Sequence, residues 1–284
     1  MNRLSIILPA KNEAPALADL LPRLRAAHPG AEIVVVDDGS TDETPRICAE
    51  AGVICLSSPY SMGNGAAIKR GARAASGDIL VFMDGDGQHD PADVARLLAR
   101  LDEGYDMVVG ARDWEGQAGI GRGIANTFYN WLASEMTGHA ILDLTSGFRA
   151  ARADKFREFI YLLPNGFSYP TTSTMAFFRS AFPVAYVPIR AAGRVGKSHI
   201  KPVRDGFRFL LIIFKIATLY APLKLFAPTA AAFFVLGWAY WAYTFLEFHR
   251  LSLISVALWS ASVIIFLIGL ISEQITSLTY RRDA

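Results

Sequence analysis

Two stretches near the C-terminal end restrict what this chain can fold into more than any other feature. Leu225–Leu246 and Leu251–Ser272 are each 22 residues long and contain no Asp, Glu, Lys or Arg. A helix that crosses the hydrocarbon core of a bilayer needs roughly 20 such residues. The link between them, Glu247-Phe248-His249-Arg250, leaves room only for a hairpin. Two transmembrane helices are therefore expected, against the alternative of a buried helical hairpin in a soluble protein. The runs also account for the composition. The 284 residues are 52% hydrophobic and 19% charged, whereas soluble domains carry about 25% charge. Outside the runs, roughly the first 200 residues read as a soluble domain.

The net charge of +2 says little, but its distribution says more. Between Arg190 and Lys224 stand Arg190, Arg194, Lys197, Lys201, Arg204, Arg208, Lys215 and Lys224, against one acid, Asp205. A basic stretch next to a membrane segment suits anionic headgroups or a phosphate-bearing substrate. The alternative is orientation alone, because basic flanks stay cytoplasmic. Val203–Ala217 interleaves Arg204, Arg208 and Lys215 with Phe207, Phe209, Leu210 and Phe214, the composition of an interfacial helix. Basic residues dominate the flank before the hairpin, and Arg281 and Arg282 stand in the tail after it. The soluble domain and the C-terminal tail are thus expected on the cytoplasmic side of the plasma (inner) membrane. Leu4–Leu8, stopped by Pro9 and Lys11, is too short for a signal-peptide core. Cys48 and Cys55 fit no zinc or redox spacing and read as reduced structural residues. Nucleic acid is not an expected partner, because the basic cluster abuts the membrane runs.

The first half alternates short β-like runs with helical patterns. Strands are expected at Leu4–Leu8, Glu32–Asp37, Val53–Leu56, Asp78–Met83 and Asp106–Val109. Helices are expected over Ala14–Ala27, Asp42–Ala51, Ala66–Ala75 and from Pro91, placed as an N1 proline, to Leu101. Apolar strands that alternate with helices form a parallel sheet covered on both faces. Beyond Gly116 the pattern loosens, with helices expected at Arg122–Met136 and Thr172–Phe182. Ligands of such sheets bind beyond the carboxyl ends of the strands. The polar clusters sit there: Pro9-Ala10-Lys11-Asn12-Glu13, Asp37-Asp38-Gly39-Ser40, Asp84-Gly85-Asp86 and Val109-Gly110-Ala111-Arg112.

Asp84 and Asp86 are spaced to face one hard divalent cation. Mg²⁺ and Mn²⁺ prefer oxygen ligands, and Mg²⁺ commonly takes one or two carboxylates plus substrate phosphates. Alone the triplet is a common solvated turn, but here it follows the buried strand Ile79-Leu80-Val81-Phe82-Met83. Asp37-Asp38 can accept from a base or ribose, or cap the next helix. Gly63-Asn64-Gly65 entering a helix is compatible with a phosphate cradle or with a plain turn. His28, His89, His139, His199 and His249 show no metal-ligand pattern, and His89 reads as a structural or supporting residue.

Three motifs taken together are more specific: Pro9-Ala10-Lys11-Asn12-Glu13, Val35-Val36-Asp37-Asp38-Gly39-Ser40-Thr41-Asp42 and Asp84-Gly85-Asp86-Gly87-Gln88-His89. In this order and spacing the chain resembles the GT-A glycosyltransferases of family 2. Gly110-Ala111-Arg112, Asp143 through Arg149 and Gly196-Lys197-Ser198 extend the likeness to the polyprenyl-phosphate glycosyltransferases. That group includes dolichyl-phosphate mannose synthase and bacterial undecaprenyl-phosphate sugar transferases. The resemblance implies a GT-A catalytic domain over 1–200, a basic juxtamembrane helix over 201–222, a transmembrane hairpin over 223–274 and a tail over 275–284.

The resemblance also implies roles. Pro9, Asn12, Glu13, Asp37, Asp38, Gly63 and Lys69 would bind the nucleotide. Asp84, Asp86 and Gln88 would hold Mg²⁺ or Mn²⁺ and the diphosphate. Asp86, Arg112 and Arg149 would be catalytic, with Arg112 facing the phosphates. Ser146, Arg149, Lys197, Ser198 and Lys201 would receive the phosphate of a polyprenyl acceptor. The implied reaction is inverting transfer from a UDP- or GDP-linked sugar, with membrane lipids as surroundings and a homo-oligomer as a possible assembly. The departures are Lys11 where many members have Tyr, Gly85 for Ala, a smaller residue at Gly87, and Gly196-Lys197-Ser198-His199 in place of Gly-x-Ser-Lys.

Other readings fare worse. A processive polysaccharide synthase normally carries Gln-x-x-Arg-Trp and more spans. A sugar nucleotidyltransferase places a Gly-rich segment after the first strand. A dinucleotide-dependent oxidoreductase needs the full glycine fingerprint, and Ile68 occupies its third position. Glycosylation of a lipid hydroxyl stays as the alternative, and would require a base. A non-catalytic nucleotide-sugar-binding protein is more distant, because both the acidic triplet and Arg112 are present.

Overall fold

The computed structural model describes residues 3–112, 120–166, 168–190, 214, 218 and 220–280, with backbone alone at 120–126 and 279–280. Two compact units are present, Met1–His199 and Ile200–Ala284.

The first unit is built on strands β1 (Leu4–Ala10), β2 (Glu32–Asp37), β3 (Ile54–Ser57), β4 (Ile79–Phe82), β5 (Met107–Arg112), β6 (Arg149–Arg152) and β7 (Val184–Ile189). They form one sheet in the order β3-β2-β1-β4-β6-β5-β7. All pair in parallel except β6, which runs antiparallel between β4 and β5. The reversal has a consequence for the site. Arg149, the first residue of β6, pairs with Phe82 at the end of β4 and with Val109 in the middle of β5. The loop that enters β6 therefore reaches the same sheet edge where the parallel strands end.

Helices cover both faces. Leu17, Leu20, Leu21 and Leu24 recur at helical spacing along α1 (Ala14–Ala27) and are all buried. With Cys48 of α2 (Thr44–Glu50) and Val94, Leu97 and Leu101 of α4 (Ala92–Asp102), they pack on Ile6, Leu8, Val35 and Val81. Burying each such side chain contributes about 1.5–3 kcal/mol. The opposite face carries α3 (Asn64–Ala74), α6 (Ala153–Glu158) and α7 (Tyr169–Arg179). There Phe82 meets Phe156 at 4.4 Å between ring centroids and Tyr169 at 6.3 Å. Helix α5 (Ile120–Thr137) precedes the loop into β6.

The sequence pattern predicts the mostly parallel sheet, and α1 has the expected bounds. Pro91 stands just before α4 as its N-cap rather than at its first position. Strands β6 and β7 are additions. Arg149-Ala-Ala-Arg152 has no β-branched residue to mark it, and Pro188 weakens the strand pattern of β7. A strand proline is tolerated at a sheet edge, which is where β7 lies.

In the second unit, α8 (Pro222–Phe248) and α9 (Leu253–Tyr280) form the hairpin. Both are long and apolar enough to cross a membrane, with mean hydropathy 1.4 and 2.5 over their spanning stretches. Only 11% and 17% of those stretches are buried within the protein, whereas a soluble core hairpin would be covered. Ser262 Oγ donates to the Ala230 carbonyl across the pair at 2.8 Å. The expected interfacial helix over Val203–Ala217 falls almost wholly outside the described residues.

Candidate active site

The loops after β1 and β2 hold each other. Asn12, at φ 56°, takes the left-handed conformation that Asn tolerates. Its Oδ1 accepts from Thr41 N at 2.8 Å, and its backbone N–H donates to Ser40 Oγ at 2.9 Å. Glu13 N donates to Thr44 Oγ1, and Ala14 N to Asp42 Oδ2. Asp42 thus caps α1 from the neighbouring loop. Burial opposes its charge, but hydrogen bonds from Thr44 and Ala14 hold its pKa below the ordinary value. Pro9 lies in β1 opposite Val36. Asp37, nearly buried, accepts from Ser40 N at 2.8 Å. Asp38 is committed to structure: its carboxylate takes Ser61 Oγ, Met62 N and Gly63 N at 2.6, 2.6 and 2.9 Å.

The entrance to α3 is not an open phosphate cradle, contrary to the roles expected for Gly63 and Lys69. Gly65 N donates to the Gly166 carbonyl at 3.1 Å and Ala66 N to the Asn165 carbonyl at 2.9 Å. A Cβ at Gly65 would stand 2.0 Å from the Pro164 carbonyl oxygen. Lys69 Nζ donates to the Leu163 carbonyl and to Asn165 Oδ1. The two glycines and the lysine therefore seat the 163–166 loop on the helix N-terminus, and the Gly63, Gly65 and Ala66 N–H groups already have partners.

Asp84 and Asp86 follow β4 directly. Asp84 is 36% exposed and Asp86 is buried, accepting from Gln88 N at 3.2 Å. Among the described residues no three His, Cys, Asp or Glu side chains converge as a cage. Two carboxylates, one of them open, fit a hard cation whose other ligands are phosphate oxygens and water. His89 is buried behind them, with Nε2 3.8 Å from Asp84 Oδ2 and its ring stacked on Phe148 at 4.9 Å.

The loop into β6 closes on this pair. Gly147 lies so near that a Cβ there would stand 2.9 Å from Asp84 Oδ2. Tyr169 Oη holds the Gly147 carbonyl at 2.8 Å. Arg112, at the end of β5, donates from Nε to Asp143 Oδ2 at 2.8 Å, and from Nη2 to Asp143 Oδ1 at 3.0 Å and Thr145 Oγ1 at 2.7 Å. Asp143 also accepts from Thr145 N and Ser146 N. Burial would raise its pKa, but the Arg112 hydrogen bonds and charge hold it below the ordinary carboxylate value. For Arg112, burial works against the charge, and the Asp143 hydrogen bonds and charge, then the Asp84 charge, keep its pKa raised. Asn130 of α5 fastens the loop from behind, donating to the Leu142 carbonyl and accepting from Leu144 N.

Arg149 does not face this edge. It is fully buried, and Nη1 donates to the Pro170 carbonyl, Ser173 Oγ and Thr174 Oγ1 at 2.8, 2.7 and 3.1 Å. Its Nη2 donates to the Ser146 carbonyl. The guanidinium expected at a phosphate instead ties α7 to the loop into β6, and Ser146 is buried beside it. Lys197, Ser198 and Lys201 lie outside the described residues. Asp143 and Tyr169 are the organising residues that the sequence reading did not single out. Asp143 was legible, because an Asp before Thr-Ser accepts from N–H groups two and three residues on. Tyr169 had no local signal.

A mostly parallel sheet with a carboxylate pair at its carboxyl edge and one reversed strand bringing a basic-acidic loop beside it defines a GT-A fold. Comparison with known proteins agrees. Residues 5–162 match the glycosyl transferase family 2 model, and residues 221–278 match the GtrB C-terminal hairpin. The first match takes in more than half of the chain, which belongs to glycosyl transferase family 2. Similar proteins include the undecaprenyl-phosphate 4-deoxy-4-formamido-L-arabinose transferase of Klebsiella pneumoniae, 34% identical over 54% of this chain and 49% of that protein. The chain thus spans about half the length of that relative. Glycosyltransferase AglJ of Haloferax volcanii is 27% identical over 96% of this chain and 93% of its own length. Among solved structures, glucosyl-3-phosphoglycerate synthase from Mycobacterium tuberculosis in complex with phosphoglyceric acid has a TM-score of 0.61 at 22% identity, over 76% of this chain and 79% of that one. The same enzyme with Mn²⁺, UDP and phosphoglyceric acid also gives 0.61, at 23% identity over 76% and 77%. At this identity the likeness establishes the fold.

Proposed function

We propose that the protein is an inverting, metal-dependent glycosyltransferase. It moves a sugar from a nucleoside-diphosphate donor, UDP- or GDP-linked, to a polyprenyl phosphate at a membrane. The observation that carries this is the meeting of Asp84 with Gly147. The carboxylate suited to a diphosphate-bound cation lies against the loop that Arg112 and Asp143 organise. Donor and acceptor ends of one reaction can therefore meet at one sheet edge.

When bound, the Mg²⁺ or Mn²⁺ would neutralise the negative charge that develops on the departing diphosphate. Asp84, Asp86 and Gln88 would hold it. Arg112, 28% exposed and charged at every working pH, adds a fixed positive potential beside them. The acceptor phosphate is already anionic, so it needs positioning more than deprotonation. Lys197, Ser198 and Lys201 are assigned to that task by sequence, with Ser146 at its border. Arg149 serves by position, holding the acceptor loop on α7. The hairpin match and the likeness to an undecaprenyl-phosphate sugar transferase support a lipid-linked acceptor and membrane residence. The basic flanks support a cytoplasmic catalytic domain and C-terminus.

The test is transfer by the purified full chain from a panel of nucleotide sugars to undecaprenyl phosphate, undecaprenol or diacylglycerol. Product on the phosphate alone is expected. Product on an alcohol but not on the phosphate would instead favour the hydroxyl-acceptor alternative.

A further inference from the structure

The turn between β3 and α3 joins a rigid backbone to an exposed ring. Tyr60 is 67% exposed. A single exposed tyrosine is ordinary on a mobile surface loop, but here almost every neighbour in the turn is pinned. Ser58 N donates to the Asp37 carbonyl at 2.9 Å. Arg70 Nη1 reaches the Ser57 carbonyl at 2.8 Å and Ser58 Oγ at 2.9 Å. Asp38 takes Ser61 Oγ, Met62 N and Gly63 N. Gly39, at φ +72°, lies so close that a Cβ would stand 2.7 Å from the Tyr60 carbonyl carbon and 2.9 Å from its Cα. The backbone under the ring is thus wedged against the Asp37-Asp38-Gly39 turn, beyond the carboxyl ends of β2 and β3.

We infer that Tyr60 is a stacking platform for the nucleobase of the donor, a ligand contact separate from the carboxylate pair. This rests on the proposed use of a nucleoside-diphosphate donor. An aromatic residue whose backbone is held in place before the ligand arrives loses less freedom on binding than one on a mobile loop. Stacking suits any base, because every base has a π-face. Asp37, at the end of β2 with its carbonyl holding Ser58 N, then supplies a polar contact at the same end of the ligand. The Tyr60 hydroxyl is not required for stacking, so Tyr60→Phe should be silent.

Full-length enzyme and its Tyr60→Ala and Tyr60→Phe variants would be titrated with UDP, GDP and inorganic pyrophosphate in the presence of Mg²⁺. Tyr60→Ala is expected to weaken the preferred nucleoside diphosphate about tenfold. Tyr60→Phe should stay within about twofold of wild type, and pyrophosphate, which has no base, should bind all three alike. Equal nucleoside diphosphate binding by wild type and Tyr60→Ala would overturn the inference. So would an equal loss for pyrophosphate, which would mark a collapsed loop. A wild-type protein that bound neither UDP nor GDP would overturn both this inference and the donor reading beneath it, before any variant was compared.

Discussion

Arg112 and Asp143, 31 residues apart in sequence, form a two-pronged ion pair with N–O distances of 2.8 and 3.0 Å. It joins the end of β5 to the loop that enters β6. Asp143 is only 2% exposed and Arg112 is 28% exposed, so water screens the pair weakly. Removing one partner of a buried pair costs about 3 kcal/mol or more. Asp143→Asn is expected to destabilise the catalytic unit by about that amount, read as a lowered Tm, and to reduce transfer.

The same pair sets a pH dependence. The Asp143 pKa is depressed in the folded protein. Its contribution is therefore complete above the unfolded value, about 3.9, and is lost as pH falls through the lower folded value. The stability gap between wild type and Asp143→Asn should be constant from neutral pH down to about pH 4 and shrink below that. Denaturant melts across pH 2–7 would read it, taking those pH values as approximate limits. A gap that grew on acidification would mean that Asp143 is protonated in the fold.

Gly147→Ala isolates the contact between the two halves of the site. The new methyl group would stand 2.9 Å from Asp84 Oδ2 and 3.3 Å from Tyr169 Oη. Clearing that contact displaces a group at the reacting centre, where a misplacement of about 1 Å costs up to about 100-fold, so kcat should fall by about 10- to 100-fold. The Tm should move little, because Asp84 is partly exposed and can yield. Unchanged kcat would show that Asp84 and the acceptor loop act independently.

Arg149 can be assigned by separating stability from turnover. Its guanidinium is fully buried and engages α7 and the Ser146 carbonyl through both terminal nitrogens. Arg149→Met should cost about 3 kcal/mol. Arg149→Lys should recover little of it, because a single ammonium cannot reproduce the planar fork. Wild-type Tm with lost transfer would instead mark Arg149 as a direct phosphate ligand.

Much of this was legible in the residues. Ile79 through Met83 is apolar without interruption, so the strand and the position of Asp84 and Asp86 at its end could be read directly. The helix expected over Ala14–Ala27 coincides with α1, whose leucines at helical spacing are buried. The two uncharged runs gave the hairpin. What escaped were features that depend on distant partners. Arg149 carries a charge, and charge in a motif suggests a ligand, yet Ser173 and Thr174 lie on a later helix and bury it. The Gly63-Asn64-Gly65 turn looks open until the 163–166 loop is seated on it. The reversal of β6 depends on a strand of four residues, Arg-Ala-Ala-Arg, whose place between β4 and β5 no local pattern encodes.

Asp84 and Asp86 are proposed to hold a divalent cation on the leaving diphosphate. The most direct measurement is sugar transfer to undecaprenyl phosphate by the full chain, before and after EDTA and after Mg²⁺ or Mn²⁺ is restored, beside Asp86→Ala. Transfer is expected to vanish in EDTA, to return with metal, and to stay absent in Asp86→Ala protein that still folds and enters the membrane. Undiminished transfer in EDTA, or turnover by Asp86→Ala, would contradict the claim.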